Sequence, residues 1–261
     1  MKKPTDTSFA GITDKFARNI YATSKGRLRL AVLARDLAPF LEQAKVGQAK
    51  GKPMRVLDIG AGLGQVNSWF AEQGCQVTHT DTAAEMVQGA QEIHAAAGLA
   101  HNYRYICAEL QELPNKLAGE SFDLVICHAV LEWLHDPAVA IAVLKQFMAP
   151  EGVLSLMFYN RDAKLFANTI YGNFDYVQSE LQVKKRVRLS PQQPIAPADV
   201  TQWLVANQLQ VVEKTGVRCF HDYLREPKKH QDAAELLELE LKYSRQAPFQ
   251  ALGRYQHWLI K

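Results

Sequence analysis

Three glycines at alternate positions, in Asp58-Ile-Gly60-Ala-Gly62-Leu-Gly64, follow directly on residues 54–60, a short run that is apolar on both faces. Such a run reads as a strand buried from both sides, as in a parallel sheet. Behind the glycines, 65–73 reads as a helix closed by Gly74. Glycine permits a tight turn and a close approach of ligand to backbone, and a helix start leaves N–H groups free to meet that ligand.

The rest of the first half repeats the unit. Strands are expected at 75–80, 103–107, 122–127 and 153–159, and helices at 83–97 and 137–148, the latter opening on Pro137. Residues 150–152 read as a turn. This alternation predicts an α/β fold with a doubly wound, Rossmann-like sheet. Ligands of such sheets bind at the carboxyl ends of the strands, so chemistry is expected after residues 59, 80, 107, 127 and 159. The second half is less regular. Residues 161–197 read as an insertion with short helices, 198–207 as a helix, 209–220 as a long strand, 232–244 as an amphipathic helix and 253–260 as a last strand.

Composition narrows the function classes. Residues 1–30 carry seven Lys/Arg against two Asp/Glu, 31–159 eight against fourteen, and 161–261 fifteen against eleven. Basic ends around an acidic middle suit an anionic partner bound outside the central sheet, although solvated surface charge gives the same counts. No apolar run approaches the ~20 residues of a membrane span, and no secretory signal is evident, so a cytoplasmic protein is expected. Cys75, Cys107, Cys127 and Cys219 are widely spaced without a CxxC pair. They are expected as buried reduced thiols, and no metal is expected.

A GxGxG loop alone fits nicotinamide, flavin and adenosylmethionine sites. Its carboxylates add detail. Asp58, just before the loop, can hold a ligand's ammonium or a water network. Asp81, at the end of the second strand, can accept from both hydroxyls of a ribose. The segment Phe122-Asp-Leu-Val-Ile-Cys-His128-Ala-Val-Leu-Glu132-Trp133, with Leu144-Lys-Gln-Phe-Met-Ala-Pro150-Glu-Gly152-Val-Leu further on, resembles class I methyltransferases. That resemblance implies S-adenosyl-L-methionine as cofactor. It implies Gly60, Ala61 and Gly62 beneath the methionine part, Leu110 near the adenine and His128 near the sulfonium end.

A narrower resemblance extends over nearly the whole chain. Phe16-Ala-Arg18-Asn-Ile-Tyr21-Ala-Thr-Ser-Lys25-Gly-Arg27-Leu-Arg29, Leu154–Asn160, Gly172–Gln178, Lys214–Arg218, Phe220–Glu226, Gln246–Phe249 and Leu252–Tyr255 are similar to the bacterial tRNA 5-carboxymethoxyuridine methyltransferase family. One departure is the glycine loop, where that family carries consecutive glycines and an acidic residue; Ala61 is small enough to keep the turn. The resemblance implies methyl transfer to the carboxylate of 5-carboxymethoxyuridine at the wobble position of tRNA. It implies Arg29 on the cofactor and a segment with Arg18 and Tyr21 that folds over it. It implies one domain: a helical segment to residue 50, a cofactor core over 51–160, the 161–197 insertion, and 198–261 completing the sheet.

A carboxylate is ionised at neutral pH and needs no general base, and no Ser/His/Asp or Cys/His device stands out in the sequence. Arg18, Tyr21, Tyr159 and Arg218 are candidates to orient the substrate carboxylate, and Asn160 is expected at the same rim. For the tRNA anticodon stem-loop, Lys184, Lys185, Arg186, Arg188, Arg225, Lys228 and Lys229 are candidate phosphate contacts. Phe174, Tyr176 and Tyr223 are candidates to stack on splayed bases. A small-molecule O-, N- or C-methyltransferase would share the cofactor half but give the basic second half no role. An RNA-binding protein with a vestigial pocket and a nicotinamide dehydrogenase are further alternatives.

Overall fold

The structure, a computed structural model, describes residues 23–182, 193–230 and 232–261. Seven strands form one sheet in the order β3-β2-β1-β4-β5-β7-β6. They are β1 (Arg55–Ile59), β2 (Gln76–Asp81), β3 (Tyr103–Cys107), β4 (Phe122–His128), β5 (Met148–Tyr159), β6 (Val211–Val217) and β7 (Tyr255–Ile260). The pairs among β1 to β5 are parallel, while β7 runs antiparallel to both β5 and β6. The ends of β1, β2, β4, β5 and β6 therefore share one edge with the start of β7.

Helices cover both faces. They are α1 (Ser24–Ala49), α2 (Asn67–Ala71), α3 (Ala84–Ala96), α4 (Leu113–Lys116), α5 (Pro137–Gln146), α6 (Arg161–Ile170), α7 (Phe174–Gln178), α8 (Pro197–Ala206), α9 (Pro227–His230) and α10 (Ala234–Tyr243). On one face Leu57, Ile59, Val125, Leu154, Leu156 and Trp258 pack against Leu113, Ile141, Leu144, Val200 and Leu204. On the other, Val56, Leu124, Ile126 and Leu259 meet Leu37, Ala44 and Phe70. In α1 the buried stripe Leu28, Val32, Leu33, Asp36, Leu37 and Ala44 follows helical spacing, with one acid in its middle.

Two elements depart from the sequence reading. Residues 150–152 do not turn the chain. β5 begins at Met148 and absorbs them through a register shift, Phe122 facing Met148 and Leu124 facing Val153. The strand expected over 209–220 is β6 alone. Arg218 takes a left-handed φ of 63°. The amides of Cys219, Phe220 and His221 then donate to the buried Glu240 carboxylate at 2.6, 3.0 and 2.9 Å, so no strand partner remains for them. Cys75, Cys127 and Cys219 are buried, but Cys107 is exposed. Among the described residues, no helix is long and apolar enough to cross a membrane and no cluster of metal-binding side chains occurs.

Candidate functional site

The glycine loop leaves β1 at the carboxyl edge. Gly60, Gly62 and Gly64 hold φ of 67°, 58° and 78°, a region where a Cβ costs energy. At Gly60 a Cβ would also lie 2.4 Å from Val130 Cγ2. Asp81 ends β2 beside the loop and fixes it. Its Oδ2 accepts from the Gly62 amide at 2.9 Å and its Oδ1 from the Ala83 amide at 2.9 Å. A carboxylate has about four lone-pair sites, so two donors leave capacity for a ribose diol. Burial raises the Asp81 carboxyl against the pull of the Ala83, Gly62 and Thr82 amides.

Asp58 lies beneath the loop and is not an open ligand. It is 4% exposed, and Asn67 donates to it at 2.9 Å. Burial pushes its carboxyl up to about 8, the Asn67 hydrogen bond opposing and Asp81 adding. The Asn67 side chain also meets His79 Nδ1 at 3.2 Å and accepts from the Tyr103 hydroxyl at 2.9 Å. Asn67 thus supports the loop from below, a role that its place in an ordinary helix start does not reveal. Leu110, 4% exposed, packs with the core just beyond β3.

Farther along the edge, β4 ends at His128, and Ala129 follows at φ 58°. A left-handed non-glycine residue next to a candidate binding residue marks a backbone held by its surroundings. The charge of Arg29, on α1, bears on His128, Glu132 and Tyr255, so these four groups share one neighbourhood. Glu132 is 1% exposed, and neither carboxyl oxygen has a hydrogen-bond partner among the described residues. Burial pushes its carboxyl up to about 8. Sequence reading passed over Glu132, although an acid inside the apolar run after a strand is a usable signal.

The substrate-orienting candidates are differently engaged. Arg218 is taken by Asp222, with Nη2 at 2.7 Å and Nε at 2.9 Å. Asn160 is consumed structurally. Its Nδ2 donates to the Ala251 and Gly253 carbonyls at 2.9 Å each, and its Oδ1 accepts from the Asp162 amide, starting α6. Tyr159 is buried, its ring 5.3 Å from that of Tyr255, with Arg254 at 5.0 Å and Lys164 at 5.7 Å. Among the described residues neither Arg254 nor Lys164 forms an ion pair, and neither was singled out from sequence. Arg18 and Tyr21 lie outside the described residues.

Lys184, Lys185, Arg186 and Arg188 also lie outside the described residues, as does the side chain of Lys228. Arg225 is exposed beyond β6, and Lys229 pairs with Glu226 at 3.3 Å on the surface. Phe174 is 59% exposed, near the exposed Phe166, Ile170 and Tyr171 of the insertion. Tyr223 is not free to stack, since its hydroxyl donates to the Leu252 carbonyl at 2.8 Å and its ring packs on Phe166.

The structure also joins what the sequence kept apart. Ser155, His257 and Asp36 form a hydrogen-bonded row ending on His128. The device is present but sealed. Ser155 is 0% exposed and its Oγ lies between two imidazoles, so no substrate reaches it as a nucleophile. A cleft lined by Pro53, Arg55, Gln76, Tyr103, Arg104 and Glu120 lies at the opposite, amino edge. Its charges are mutually paired, Arg55 and Arg104 each 2.6 Å from Glu120.

The methyltransferase domain family model matches residues 57–156. The tRNA 5-carboxymethoxyuridine methyltransferase of Escherichia coli strain K12 is 46% identical over 253 residues, 97% of this chain and 95% of that protein. The ubiquinone biosynthesis O-methyltransferase of Pasteurella multocida is 31% identical over 169 residues, 62% of this chain and 68% of that protein. Among solved structures, the CcbJ methyltransferase of Streptomyces caelestis matches with a TM-score of 0.61 at 12% identity, covering 100% of this chain and 99% of that one, a likeness of fold. A match that runs through the helical N-terminal segment, the glycine-loop edge and the closing strands alike leads to one assignment: the chain belongs to the tRNA 5-carboxymethoxyuridine methyltransferase family.

Proposed function

We propose that this enzyme transfers the methyl group of S-adenosyl-L-methionine to the carboxylate of 5-carboxymethoxyuridine at tRNA wobble position 34, giving 5-methoxycarbonylmethoxyuridine. The observation that carries the proposal is the 46% identity over 97% of the chain to the Escherichia coli enzyme of that name. The Pasteurella multocida relative covers only 62%, so the small-molecule reading accounts for less of the molecule. On this reading the enzyme works in the cytoplasm, where its tRNA is.

The carboxyl edge fits the cofactor. Asp81 keeps acceptor capacity for ribose hydroxyls, the glycine loop exposes backbone at Gly60, and His128 Nδ1 is a buried polar atom without a partner among the described residues. Arg29 is suited to the methionine carboxylate. The bound cofactor supplies an electrophilic methyl on a sulfonium. The chain's own residues then have to align an oxygen nucleophile behind that methyl and keep water out.

Arg254 and Lys164, around the Tyr159 ring, are the cations best placed to receive the substrate carboxylate, since Arg218 is committed to Asp222. The exposed face of Phe166, Tyr171 and Phe174 suits unstacked anticodon bases, with Arg225, Lys229 and the 184–188 run as phosphate contacts. A wobble base is already unpaired in its loop, so presenting it costs little.

Mass spectrometry of nucleosides tests the reaction. Purified enzyme, cofactor and tRNA bearing 5-carboxymethoxyuridine should give the methyl ester, while tRNA with unmodified uridine stays inert. Steady methylation of the unmodified tRNA would place the acceptor on a ring or ribose atom and refute the proposal.

A further inference from the structure

Four side chains on α1, β4, β5 and β7 form a continuous buried row. His128 Nε2 lies 2.8 Å from Ser155 Oγ, Ser155 Oγ 2.8 Å from His257 Nε2, and His257 Nδ1 2.7 Å from Asp36 Oδ2. Asp36 Oδ1 accepts from Arg35 Nε at 3.0 Å and Nη2 at 2.7 Å, and from Arg245 Nη2 at 2.7 Å. Asp36, Ser155 and His257 are all at or below 1% exposure. Arg245 also meets Glu213.

The proton positions along this row follow from its charged end. Burial pushes the Asp36 carboxyl up, but the hydrogen bonds from His257 and Arg35 and the Arg35 charge outweigh it and hold it well below the usual carboxylate range. An ionised carboxylate only accepts, so His257 Nδ1 carries a proton and donates it. Two guanidiniums already compensate Asp36, and a further buried cation on His257 would be costly. His257 is therefore neutral, and its Nε2 is a lone pair. The Ser155 hydroxyl donates to that lone pair, which leaves Ser155 Oγ as an acceptor for His128. His128 thus carries its proton on Nε2. Burial and the charge of Arg29 hold His128 well below its ordinary value, so its Nδ1 is an unprotonated acceptor. That atom is buried and has no partner among the described residues.

We propose that Asp36, His257 and Ser155 are positioning residues that lock His128 in the Nε2-protonated tautomer, so that Nδ1 accepts a hydrogen bond from the α-ammonium of the bound cofactor. This rests on the adenosylmethionine reading and deepens it. A neutral acceptor cannot hold the cofactor's carboxylate or the substrate's; those anions are left to Arg29 and to Arg254. The row also pins α1 to the sheet, so Arg29 and His128 are set by one network.

Nitrogen-15 spectra of histidine in the wild-type enzyme test the tautomer directly. His128 is expected to show a protonated Nε2 and an unprotonated Nδ1, and Nδ1 should move on saturation with S-adenosylhomocysteine. A protonated Nδ1 would overturn the proposal, because the row would then run in the opposite direction. Calorimetry with Ser155→Ala and with the hydroxyl-keeping Ser155→Thr tests the function. Loss of the hydroxyl should weaken S-adenosylhomocysteine by ~10-fold, the worth of one hydrogen bond to a charged donor. Binding of 5′-methylthioadenosine, which lacks the amino-acid end, should not change. Ser155→Thr should restore most of the loss, and Ser155→Ala should raise the KM for the cofactor more than it lowers kcat. Equal losses for both ligands would make Ser155 merely structural. Failure of the wild-type enzyme to bind S-adenosylhomocysteine would instead sink the cofactor reading itself.

Discussion

Glu132→Gln probes the electrostatics of the site without any ligand. In the unfolded chain this carboxyl ionises near its ordinary value of about 4.3. In the fold it is buried with neither oxygen hydrogen-bonded among the described residues, and burial pushes it up to about 8. Between these values the native state holds a proton that the unfolded state has lost. The stability contributed by the protonated group is therefore full below about pH 4, and it is lost progressively as pH rises to about 8. At about 1.4 kcal/mol per pH unit, the whole span amounts to an upper limit of about 5 kcal/mol. Relaxation around the charge brings the expected loss to roughly 2–4 kcal/mol. The amide of Glu132→Gln keeps the shape and cannot ionise. Asp58 is also held up to about 8, but it acts equally in both proteins and cancels in the difference. Urea unfolding of cofactor-free protein, from pH 5 to 8.5, should show the two close together at the acid end. The variant should lead by roughly 2–4 kcal/mol at the alkaline end. Parallel stability curves would refute the reasoning and place the Glu132 carboxylate in contact with solvent or a cation.

Asp81→Ala should weaken S-adenosylhomocysteine by ~1–3 kcal/mol through lost charge-assisted hydrogen bonds, and unchanged calorimetry would remove Asp81 from the site. Gly62→Val should do worse, because a β-branched residue is strained at φ 58°; normal binding would mean that the ligand does not use the loop. Arg254→Ala should lower turnover on tRNA at least tenfold more than it lowers cofactor affinity, a split expected of a group that holds the substrate anion. Equal effects would return Arg254 to a packing role. Changing Lys184, Lys185, Arg186 and Arg188 together to alanine should leave cofactor affinity intact and flatten the salt dependence of tRNA binding. An unaltered slope would make that run a solvated face.

What was legible in the sequence was local. The glycine loop, Asp81 and the end of β4 lie within or next to single strand–turn–helix units, where spacing alone fixes which groups meet. The failures are tertiary. His257 and Asp36 are 221 positions apart, and no periodicity predicts their contact. The signal that was available is Asp36 itself, an acid in the buried stripe of α1 between Leu33 and Leu37. A buried acid demands a partner, and a histidine or arginine elsewhere in the chain should have been sought for it. Arg218 misled for the opposite reason. It was expected inside a strand over 209–220, whereas it follows β6, and Asp222, four residues on, takes the guanidinium. Arg254 lies before β7, whose antiparallel course brings its start beside the end of β5. The sequence reading gave the last strand no direction and so could not place it there.

The acids around the edge divide into two groups by the cations near them. Asp36 and Asp222 are surrounded by arginine and are held well below the usual range despite burial. Asp58 is met by the Asn67 amide, and Glu132 feels the charge of Arg29 without a hydrogen bond among the described residues; burial pushes both up to about 8. The first pair therefore supplies fixed charge that holds structure, and in the second burial favours the neutral acid, which adds no negative charge to the edge. Near-neutrality suits this chemistry. A sulfonium and a carboxylate approach as opposite charges and leave as a thioether and an ester, so charge is cancelled as the reaction proceeds. Water and ionised side chains stabilise the separated charges more than the half-neutralised transition state, and a low-dielectric pocket does the reverse. A free carboxylate at Glu132 would also repel the incoming anion. Burying the acid removes that repulsion without giving up a hydrogen-bonding group, and on the proposed reading Arg29 and Arg254 are the charges an anionic ligand would meet.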